Sequence, residues 1–489
     1  MSRAMTKQVI YFLLGPLTCL IVSNLNPPTG MTEAGMLNLG ACCWLMIWWM
    51  TEIFPMPATA LMAIPIFAFL GVMAPGKAFS FLGTPGIMLI FGATILVGLM
   101  KESNFITRYA YWILTRRMVR GSARRMLLMF TLSIGLLSAI APNVPLAILF
   151  VSITVALGRN CNMPANSSMM RGMCVLSGAA PAIGGIGTPL GGAPNMVIIA
   201  LIAKVLDHEV SFWQWSAIGL PLSFISLTIL TVIAWGYFLR NHDSSQTLST
   251  ESLDEKLEAL GPVTRHEHIA MICIVTALIL WSFGPQLAGL VGWGGGVRLL
   301  KGPFVAMFLG AATFLIPFRK NKETGALEFS MTWNQAVRNV SWDILVITFG
   351  IMAFGEVLLA GGVDKWMAGL IQAMLGDISG ILVWFMLILL SGICSQIITN
   401  IALMSLVIPL AASLAVVYNL SPLAVCLTVG MASNVAIMFP FSSVTAAAAI
   451  MGGQEYSRPR DFAGFGFIVT LVISCTVFVL GYFMSGLIL

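Results

Sequence analysis

The stretches Ser138-Ala-Ile-Ala-Pro-Asn143 and Ser395-Gln-Ile-Ile-Thr-Asn400 decide the predicted fold of this chain. Each places a serine and an asparagine five residues apart inside an otherwise hydrophobic run. Each is followed further along by a proline in a stretch of small residues, at Pro189 and Pro440. Matching polar breaks in the two halves of a membrane protein indicate a binding site at the interface of an internal repeat. The pattern therefore predicts a transporter built from two repeats.

The composition agrees with a membrane protein. The chain is 58% hydrophobic and 9% charged, whereas soluble domains are about a quarter charged. Its apolar runs are long enough to cross a hydrocarbon layer of ~30 Å. We therefore predict an all-α polytopic membrane protein with about 11 transmembrane helices. The predicted spans are residues 9–25, 35–51, 55–73, 84–100, 168–206, 214–239, 267–290, 302–318, 342–360, 421–452 and 462–488.

The two runs that contain the polar stretches are each too short for two crossings. Arg124 and Arg125 precede the first run and Arg159 follows it, so both ends prefer the cytoplasmic side. This favours a re-entrant hairpin whose tip, Pro142-Asn143, stops near the middle of the membrane. Residues 381–417 repeat the pattern from the outer face. The alternative is one kinked helix in each run.

Two further segments are predicted to interrupt spans. One is the glycine-rich stretch from Gly184 to Asn195, and the other is its weaker counterpart from Phe439 to Thr445. Non-helical backbone at membrane depth is tolerated only where it is buried in protein or lines a cavity. An odd number of predicted crossings separates corresponding points of the halves, so the repeats are inverted and their tips can meet. Helix N-termini favour an anion, and exposed carbonyls favour a small cation.

The distribution of basic residues predicts the orientation. Most of the 25 Lys and Arg residues fall on one predicted side, and the positive-inside rule makes that side cytoplasmic. We expect a multi-pass protein of the inner (plasma) membrane, with its N-terminus in the cytoplasm and its C-terminus outside. The net charge of +6 is then an insertion signal and no indication of a nucleic-acid partner. The exceptions are Lys77, Lys204, Arg298, Lys301 and Lys365.

Other residues offer little catalytic chemistry. A nucleophile–base pair or a paired-aspartate motif at membrane depth is lacking in the sequence, so an enzyme is not predicted. The spans also lack the recurring polar stripe that an anion channel requires. Glu356 is the acid that lies deepest in a predicted span, and such carboxylates are functional candidates by default. A proton relay is conceivable, but its position one turn from the predicted outer end favours a structural or interfacial role.

Four motifs resemble one known family. Trp48-Trp-Met-Thr-Glu-Ile-Phe-Pro-Met-Pro57 is similar to the "WWxTEaiPiPvTA" opening of the divalent anion/sodium symporters, the INDY-type dicarboxylate transporters. Gly184-Gly-Ile-Gly-Thr-Pro189, followed by Pro194-Asn195, resembles the family's "GGIGTPxGTPPN". Asn143 and Asn400 occupy the places of its paired Ser-Asn-Thr motifs. The resemblance covers about residues 40–455 in the correct order.

The resemblance implies an elevator-type homodimer, in which part of each subunit slides with the substrate past a fixed scaffold. The scaffold would comprise residues 1–122 (helices 1–4) and 267–378 (helices 7–9). The transport part would comprise residues 123–240 (the inward hairpin, broken helix 5 and helix 6) and 379–489 (the outward hairpin, broken helix 10 and helix 11). Residues 241–266 would form a cytoplasmic linker between the halves.

The resemblance also implies two Na⁺ sites and one site for the substrate anion. One Na⁺ site would comprise Ser138, Pro142, Asn143, Gly184 and Gly187. The other would comprise Ser395, Thr399, Asn400, Pro440 and Ser442. The substrate carboxylates would be held by Asn143, Thr188, Pro189, Thr399, Asn400 and Ser443.

The chain departs from the family at these motifs. The first Ser-Asn-Thr is Pro142-Asn143-Val144 and the second is Thr399-Asn400-Ile401. Each lost charge-assisted hydrogen bond weakens a carboxylate contact by roughly 1.5–3 kcal/mol. We therefore expect a secondary transporter of small organic anions, a di- or tricarboxylate first, coupled to sodium. Proton coupling, anion exchange, and transport of a sulfonate or another small anion stay open as alternatives.

Overall fold

The computed structural model describes residues 3–116, 122–240, 251–295, 299–300, 302–321, 325–376, 378–440 and 442–488. The helices of the first half are α1 (Arg3–Ser23), α2 (Glu33–Thr51), α3 (Met56–Phe69), α4 (Pro75–Ser80), α5 (Pro85–Glu102), α6 (Phe105–Leu114), α7 (Ala123–Ser138), α8 (Asn143–Asn160), α9 (Ser168–Gly184), α10 (Ala193–Leu206) and α11 (Phe212–Phe238). Short 3₁₀ turns lie at Phe81–Gly83, Gly185–Gly187 and Pro189–Gly191.

The second half follows a short linker helix, α12 (Glu251–Ala259). An antiparallel hairpin of β1 (Pro317–Lys320) and β2 (Leu327–Phe329) lies between two of its helices. The helices are α13 (Arg265–Leu290), α14 (Gly302–Ala312), α15 (Trp333–Asn339), α16 (Trp342–Ala360), α17 (Val363–Leu375), α18 (Gly380–Cys394), α19 (Asn400–Val417), α20 (Pro422–Ser433), α21 (Val444–Gly452) and α22 (Pro459–Ile488).

The helices have the length and composition of membrane spans. Within the described ranges, nine are long and apolar enough to cross a membrane, or ten if the bent pair α17–α18 forms one more span. The nine include α8 and α19, whereas α1, α3 and α14 occupy predicted spans as shorter apolar helices. Large apolar side chains such as Phe69 and Phe308 face outward. The prediction of an all-α polytopic membrane protein is confirmed, and the number of crossings stays a prediction.

The chain doubles back between α7 and α8. At the start of α7, the Arg124 carbonyl accepts a hydrogen bond from Trp235 Nε1 near the end of α11. The last residue of α11, Phe238, packs on the first turns of α9. Gly158, at the end of α8, lies against Met170 in those same turns. Both ends of the α7–α8 pair therefore lie at one level, which is the geometry of a hairpin and not of one kinked helix.

The α18–α19 pair has the same shape. Gly380, at the start of α18, lies so close to the backbone of Tyr418, just beyond α19, that a methyl group on it would be 2.9 Å from the Tyr418 carbonyl oxygen. The two ends of this pair therefore also meet, and its turn is formed by residues 395–399. We call α7–α8 hairpin 1 and α18–α19 hairpin 2.

Two broken helices connect the halves. The α9–α10 helix begins against hairpin 1, and its second part packs on α19 and α20. The α20–α21 helix begins against hairpin 2, and its second part packs on α8 and α9. Just beyond α21, Glu455 accepts a 2.9 Å hydrogen bond from Arg159 Nε of hairpin 1, which lowers the pKa of the Glu455 carboxyl. Each broken helix thus starts beside one hairpin and ends beside the other, the arrangement expected of an inverted repeat.

A glycine contact brings α7 and α9 together beside the first hairpin tip. A methyl group on Gly184 would lie 2.3 Å from Gly135 Cα, so the two backbones touch where these residues pass. This close approach requires glycine and presses the end of α9 against hairpin 1. It explains the glycine at position 184, the last residue of α9.

The linker between the halves is anchored to the first half. Residues 241–250 lie outside the described residues, and α12 packs against α6. Arg108 on α6 donates to Glu267 Oε1 at 2.6 Å and to the Gly261 carbonyl at 2.8 Å. The end of the linker is therefore held by one arginine of the predicted scaffold.

Candidate functional site

The first hairpin tip brings three oxygen atoms together. The Ser138 hydroxyl lies 2.5 Å from Asn143 Oδ1 and 2.7 Å from the Pro181 carbonyl oxygen of α9. Ser138 is fully buried, and its one proton can serve only one of the two acceptors at a time. Pro142 is the residue before α8, with an extended backbone that starts the helix at Asn143. The tip therefore presents three uncharged oxygens in one place, and the Pro181 carbonyl also accepts a hydrogen bond from the Gly185 N–H at the end of α9.

The glycine-rich break lies directly against this tip. Thr188 Oγ1 donates to the Ala139 carbonyl of the tip, and Asn143 Nδ2 lies close to Gly185 and Gly192. Gly192 immediately precedes α10 and Asn143 begins α8. The N-terminal ends of two helices thus lie side by side, where their partial positive charges favour an anion.

Helix α11 holds the other side of this break. Ser223 donates to the Gly184 carbonyl at 3.1 Å, and Trp215 Nε1 donates to the Ile186 carbonyl at 2.8 Å. Gly187 lies beside Ser223. Of the predicted cation ligands, Gly184 is therefore already engaged by a protein donor, and the break is fixed between α7 and α11.

The second hairpin tip has the same serine–asparagine spacing but different hydrogen bonds. Ser395 donates to the Gly392 carbonyl of its own helix, at 2.8 Å, and not across the tip. Thr399 Oγ1 and Asn400 Oδ1 are buried atoms with no hydrogen-bond partner among the described residues. Two polar oxygens at the start of α19 are therefore open to a ligand, because a buried acceptor without a partner is costly.

The hydroxyls of the second break bond to neighbouring residues of the break itself. Ser442 donates to the Phe439 carbonyl at 3.0 Å, and the hydroxyls of Ser443 and Thr445 lie 2.9 Å apart. Ser443 also caps α21, whereas Pro440 is exposed. The hydroxyls predicted to bind substrate and cation here are thus occupied locally, and a ligand would have to displace or share these bonds.

Gln396 is a residue of the second tip that the sequence analysis missed. Its Nε2 donates to the carbonyls of Val435 at 2.8 Å and Gly392 at 3.0 Å. Its Oε1 accepts from the backbone N–H groups of Ile437 at 2.9 Å and Met438 at 3.1 Å. The only sequence signal was a glutamine at the position where the first tip has alanine.

Asn434 is a second missed residue, and it joins the two breaks. Its Nδ2 donates to Asn195 Oδ1 at 2.7 Å, and both side chains are buried. Asn195 in turn donates to the carbonyls of Gly185 at 2.7 Å and Thr188 at 2.8 Å. The sequence alone predicts no role for Asn195. The pairing places the two broken helices in direct polar contact.

A cavity of about 540 Å³ reaches the first break from the side of the predicted scaffold. Pro189 and Leu190 line it together with Thr84 and Trp281, whereas Asn143, Thr188, Asn400 and Ser443 do not. Of the predicted substrate residues, therefore, Pro189 alone borders this cavity, and the others lie at the tips and breaks.

Glu356 forms ion pairs at the edge of this cavity. Its carboxylate contacts Lys204 of α10 and lies 3.8 Å from Lys77 of α4. Glu356 is on α16, in the predicted scaffold, whereas Lys204 is in the predicted transport part. The structural or interfacial role favoured by the sequence is thus supported by its contacts.

The part of the chain that the structure describes has no metal site built from histidine, cysteine, aspartate or glutamate side chains. No three such side chains come together there. The ligands available at the tips are hydroxyl, amide and carbonyl oxygens, which hard cations prefer.

Comparison with known proteins identifies the family. The family model described as "Citrate transporter" (CitMHS) matches residues 46–430 and 298–488. Two curated relatives are sodium-dependent dicarboxylate transporters SdcS of Staphylococcus aureus. The protein of strain MRSA252 is 26% identical over 496 residues, which cover 99% of this chain and 92% of that protein. The protein of strain NCTC 8325 / PS 47 is 26% identical over 494 residues, with the same coverage.

Solved structures show the same fold at low sequence identity. The YdaH transporter of Alcanivorax borkumensis has a TM-score of 0.57 and 13% identity, and the match covers 93% of this chain and 99% of that one. MtrF of Neisseria gonorrhoeae has a TM-score of 0.58 and 12% identity, covering 98% and 94%. The prediction of a transporter and not an enzyme is confirmed by the family. This chain belongs to the citrate transporter family, and its resemblance to the divalent anion/sodium symporters is confirmed.

Proposed function

We propose that this chain is a sodium-coupled secondary active transporter of di- or tricarboxylates in the plasma membrane. The observation that carries the proposal is the adjacency of Asn143 and Gly192, which brings the N-termini of α8 and α10 together. Paired helix N-termini with an amide between them suit a carboxylate. The names of the Staphylococcus relatives, sodium-dependent dicarboxylate transporters, support the same substrate class.

Two sodium sites are proposed at the hairpin tips. At the first, the oxygens of Ser138, Asn143 and Pro181 lie within hydrogen-bond distance with one hydroxyl proton between them. At the second, Thr399 Oγ1 and Asn400 Oδ1 are open. Clusters of uncharged oxygens suit a small hard cation. We assign the predicted ligands Pro142, Gly184 and Gly187 to the first site, and Ser395, Pro440 and Ser442 to the second.

An elevator movement in a homodimer is the proposed mechanism. The two hairpins, the broken helices, α11 and α22 would move past α1–α6 and α13–α17, with the N-terminus in the cytoplasm and the C-terminus outside. Each broken helix packs against both hairpins, which supports the movement of these elements as one unit. The cavity beside Pro189 lies along the proposed boundary.

Uptake into proteoliposomes tests the function. We expect radiolabelled succinate or citrate to accumulate when an inward sodium gradient is imposed, and accumulation to stop when choline replaces sodium. Coupling is required because the proposed cation and anion sites share the Asn143 side chain. Robust counterflow without sodium dependence would identify an exchanger. Uptake of a sulfonate alone would identify another cargo, and unsaturable flux would identify a channel.

The Lys204–Glu356 contact gives a test of the proposed boundary. Both side chains are about one-fifth exposed, at 21% and 23%, so the pair contributes up to about 1 kcal/mol. We expect Lys204→Glu to change the rate of uptake by about fivefold or less, because it places two carboxylates together. The exchange of both charges, K204E with E356K, should restore the rate in part, because Lys77 stays beside position 356. Lys365→Glu, at an exposed position on α17, is the control. An unrestored double variant would refute a role for the pair.

A further inference from the structure

We propose that Gln396 is a positioning residue of the second sodium site, a role that rests on the proposed function. Its side-chain amide ties the tip of hairpin 2 to the break between α20 and α21. By holding this backbone against the tip, Gln396 sets the place at which Thr399 and Asn400 present their open oxygens.

The buried backbone of the second break needs hydrogen-bond partners, and the Gln396 side chain supplies them. After α20 ends at Ser433, residues 435–437 are fully buried and lie outside any helix. Buried backbone groups without partners are strongly unfavourable. Gln396 supplies a donor for the Val435 carbonyl and one acceptor for two neighbouring N–H groups. Its side chain is 3% exposed, so water does not compete for these bonds.

Gln396 lies close in sequence to the two oxygens that have no partner, Thr399 Oγ1 and Asn400 Oδ1. It lies four residues before Asn400, in the same connection between α18 and α19. Its Nε2 also bonds the Gly392 carbonyl at 3.0 Å and lies 3.3 Å from Ser395 Oγ, a predicted cation ligand. Any shift of the break relative to the tip would therefore change the environment of Ser395, Thr399 and Asn400 together.

The first half has a corresponding hydrogen bond between break and tip, but there the side chain belongs to the break. Thr188 reaches back to the Ala139 carbonyl of the tip. Ala139 occupies the position that corresponds to Gln396, directly after the tip serine. Each half therefore has a polar side chain that ties its tip to its break by hydrogen bonds. Gln396 and Thr188 fill this role through specific hydrogen bonds and not through packing alone.

The test is sodium-induced stabilisation of the purified full chain, measured as the rise in Tm over a titration of NaCl against choline chloride, without carboxylate. A ligand of the folded state raises Tm with its concentration. We expect Gln396→Met to raise the half-maximal sodium concentration about tenfold, because buried hydrogen bonds that set the site are lost. Gln335→Met is the matched control. Gln335 bonds Glu102 and Thr332 in the predicted scaffold.

Gln396→Glu is the second variant, in case the methionine variant does not fold. Its carboxylate keeps the two acceptor bonds to the Ile437 and Met438 N–H groups but loses the donor to the Val435 carbonyl, so at pH 8 we expect weaker sodium binding than in wild type. Tighter sodium binding at pH 8 would make residue 396 a cation ligand and overturn the positioning role. Unchanged sodium dependence in both variants would also overturn it. A wild type without a sodium response would overturn the proposed sodium coupling together with this inference.

Discussion

Asn143→Ala and Asn400→Ala should each lower sodium-driven carboxylate uptake by about ten- to a hundredfold, since one charge-assisted hydrogen bond contributes roughly 1.5–3 kcal/mol. Asn143 begins α8, and its amide lies beside Gly185 and Gly192 of the first break. Asn400 begins α19, and its Oδ1 is buried without a partner in the described part of the chain. Each substitution removes an amide that the proposed anion and cation sites share. Uptake of labelled succinate or citrate into proteoliposomes measures the loss.

The folding of these variants can be checked separately. Asn24→Ala changes an exposed asparagine just beyond α1 and serves as the control for an asparagine-to-alanine change. We expect all three variants to elute from size exclusion as the wild type does. Full uptake activity in both tip variants would refute the assignment of the tips as the binding site.

Asn195→Ala should destabilise the folded protein more than Asn434→Ala does. The first change leaves the carbonyls of Gly185 and Thr188 and the Asn434 amide without their partner. The second leaves only the bond to Asn195 Oδ1 unmade. Each buried polar group left unpaired costs about 1–3 kcal/mol. Denaturant unfolding in detergent, followed by tryptophan fluorescence, measures both losses.

The double variant isolates the contact between the two breaks. Because Asn195 and Asn434 are direct partners, the combined loss should fall short of the sum of the single losses by about 0.5–3 kcal/mol. If the breaks are coupled, the combined effect of the two substitutions on the half-maximal sodium concentration for uptake should also be less than the sum of the single effects. Strict additivity in both measurements would show that the hydrogen bond contributes nothing to stability or to coupling.

The hairpins and breaks were predictable because their signals are local. A hydrophobic run too short for two crossings, with a proline and an asparagine at its centre, has few ways to satisfy its backbone in a membrane. Pro142 and Asn143 mark the tip for this reason, and the glycines after Gly184 mark the first break. The family motifs rest on the same local stretches, so they placed the predicted site at the tips and breaks.

The hydrogen bonds of the site could not be predicted in this way. Ser138 and Ser395 have the same spacing to an asparagine, yet Ser138 contacts Asn143 and Pro181, whereas Ser395 bonds back into its own helix. The difference depends on which neighbouring helix brings a carbonyl to the tip. Ser138 meets α9 because glycines let α7 and α9 touch there.

The sequence by itself determined the membrane class, the two polar tips, the two breaks and the family, since each depends on residue types within one short segment. Only the tertiary structure decided the contacts between distant segments. Gln396 reaches the second break, Asn434 reaches Asn195, and Glu356 meets Lys204. Such pairs form when packing removes polar groups from water and leaves each one to the nearest available partner, which the order of residues along the chain does not specify.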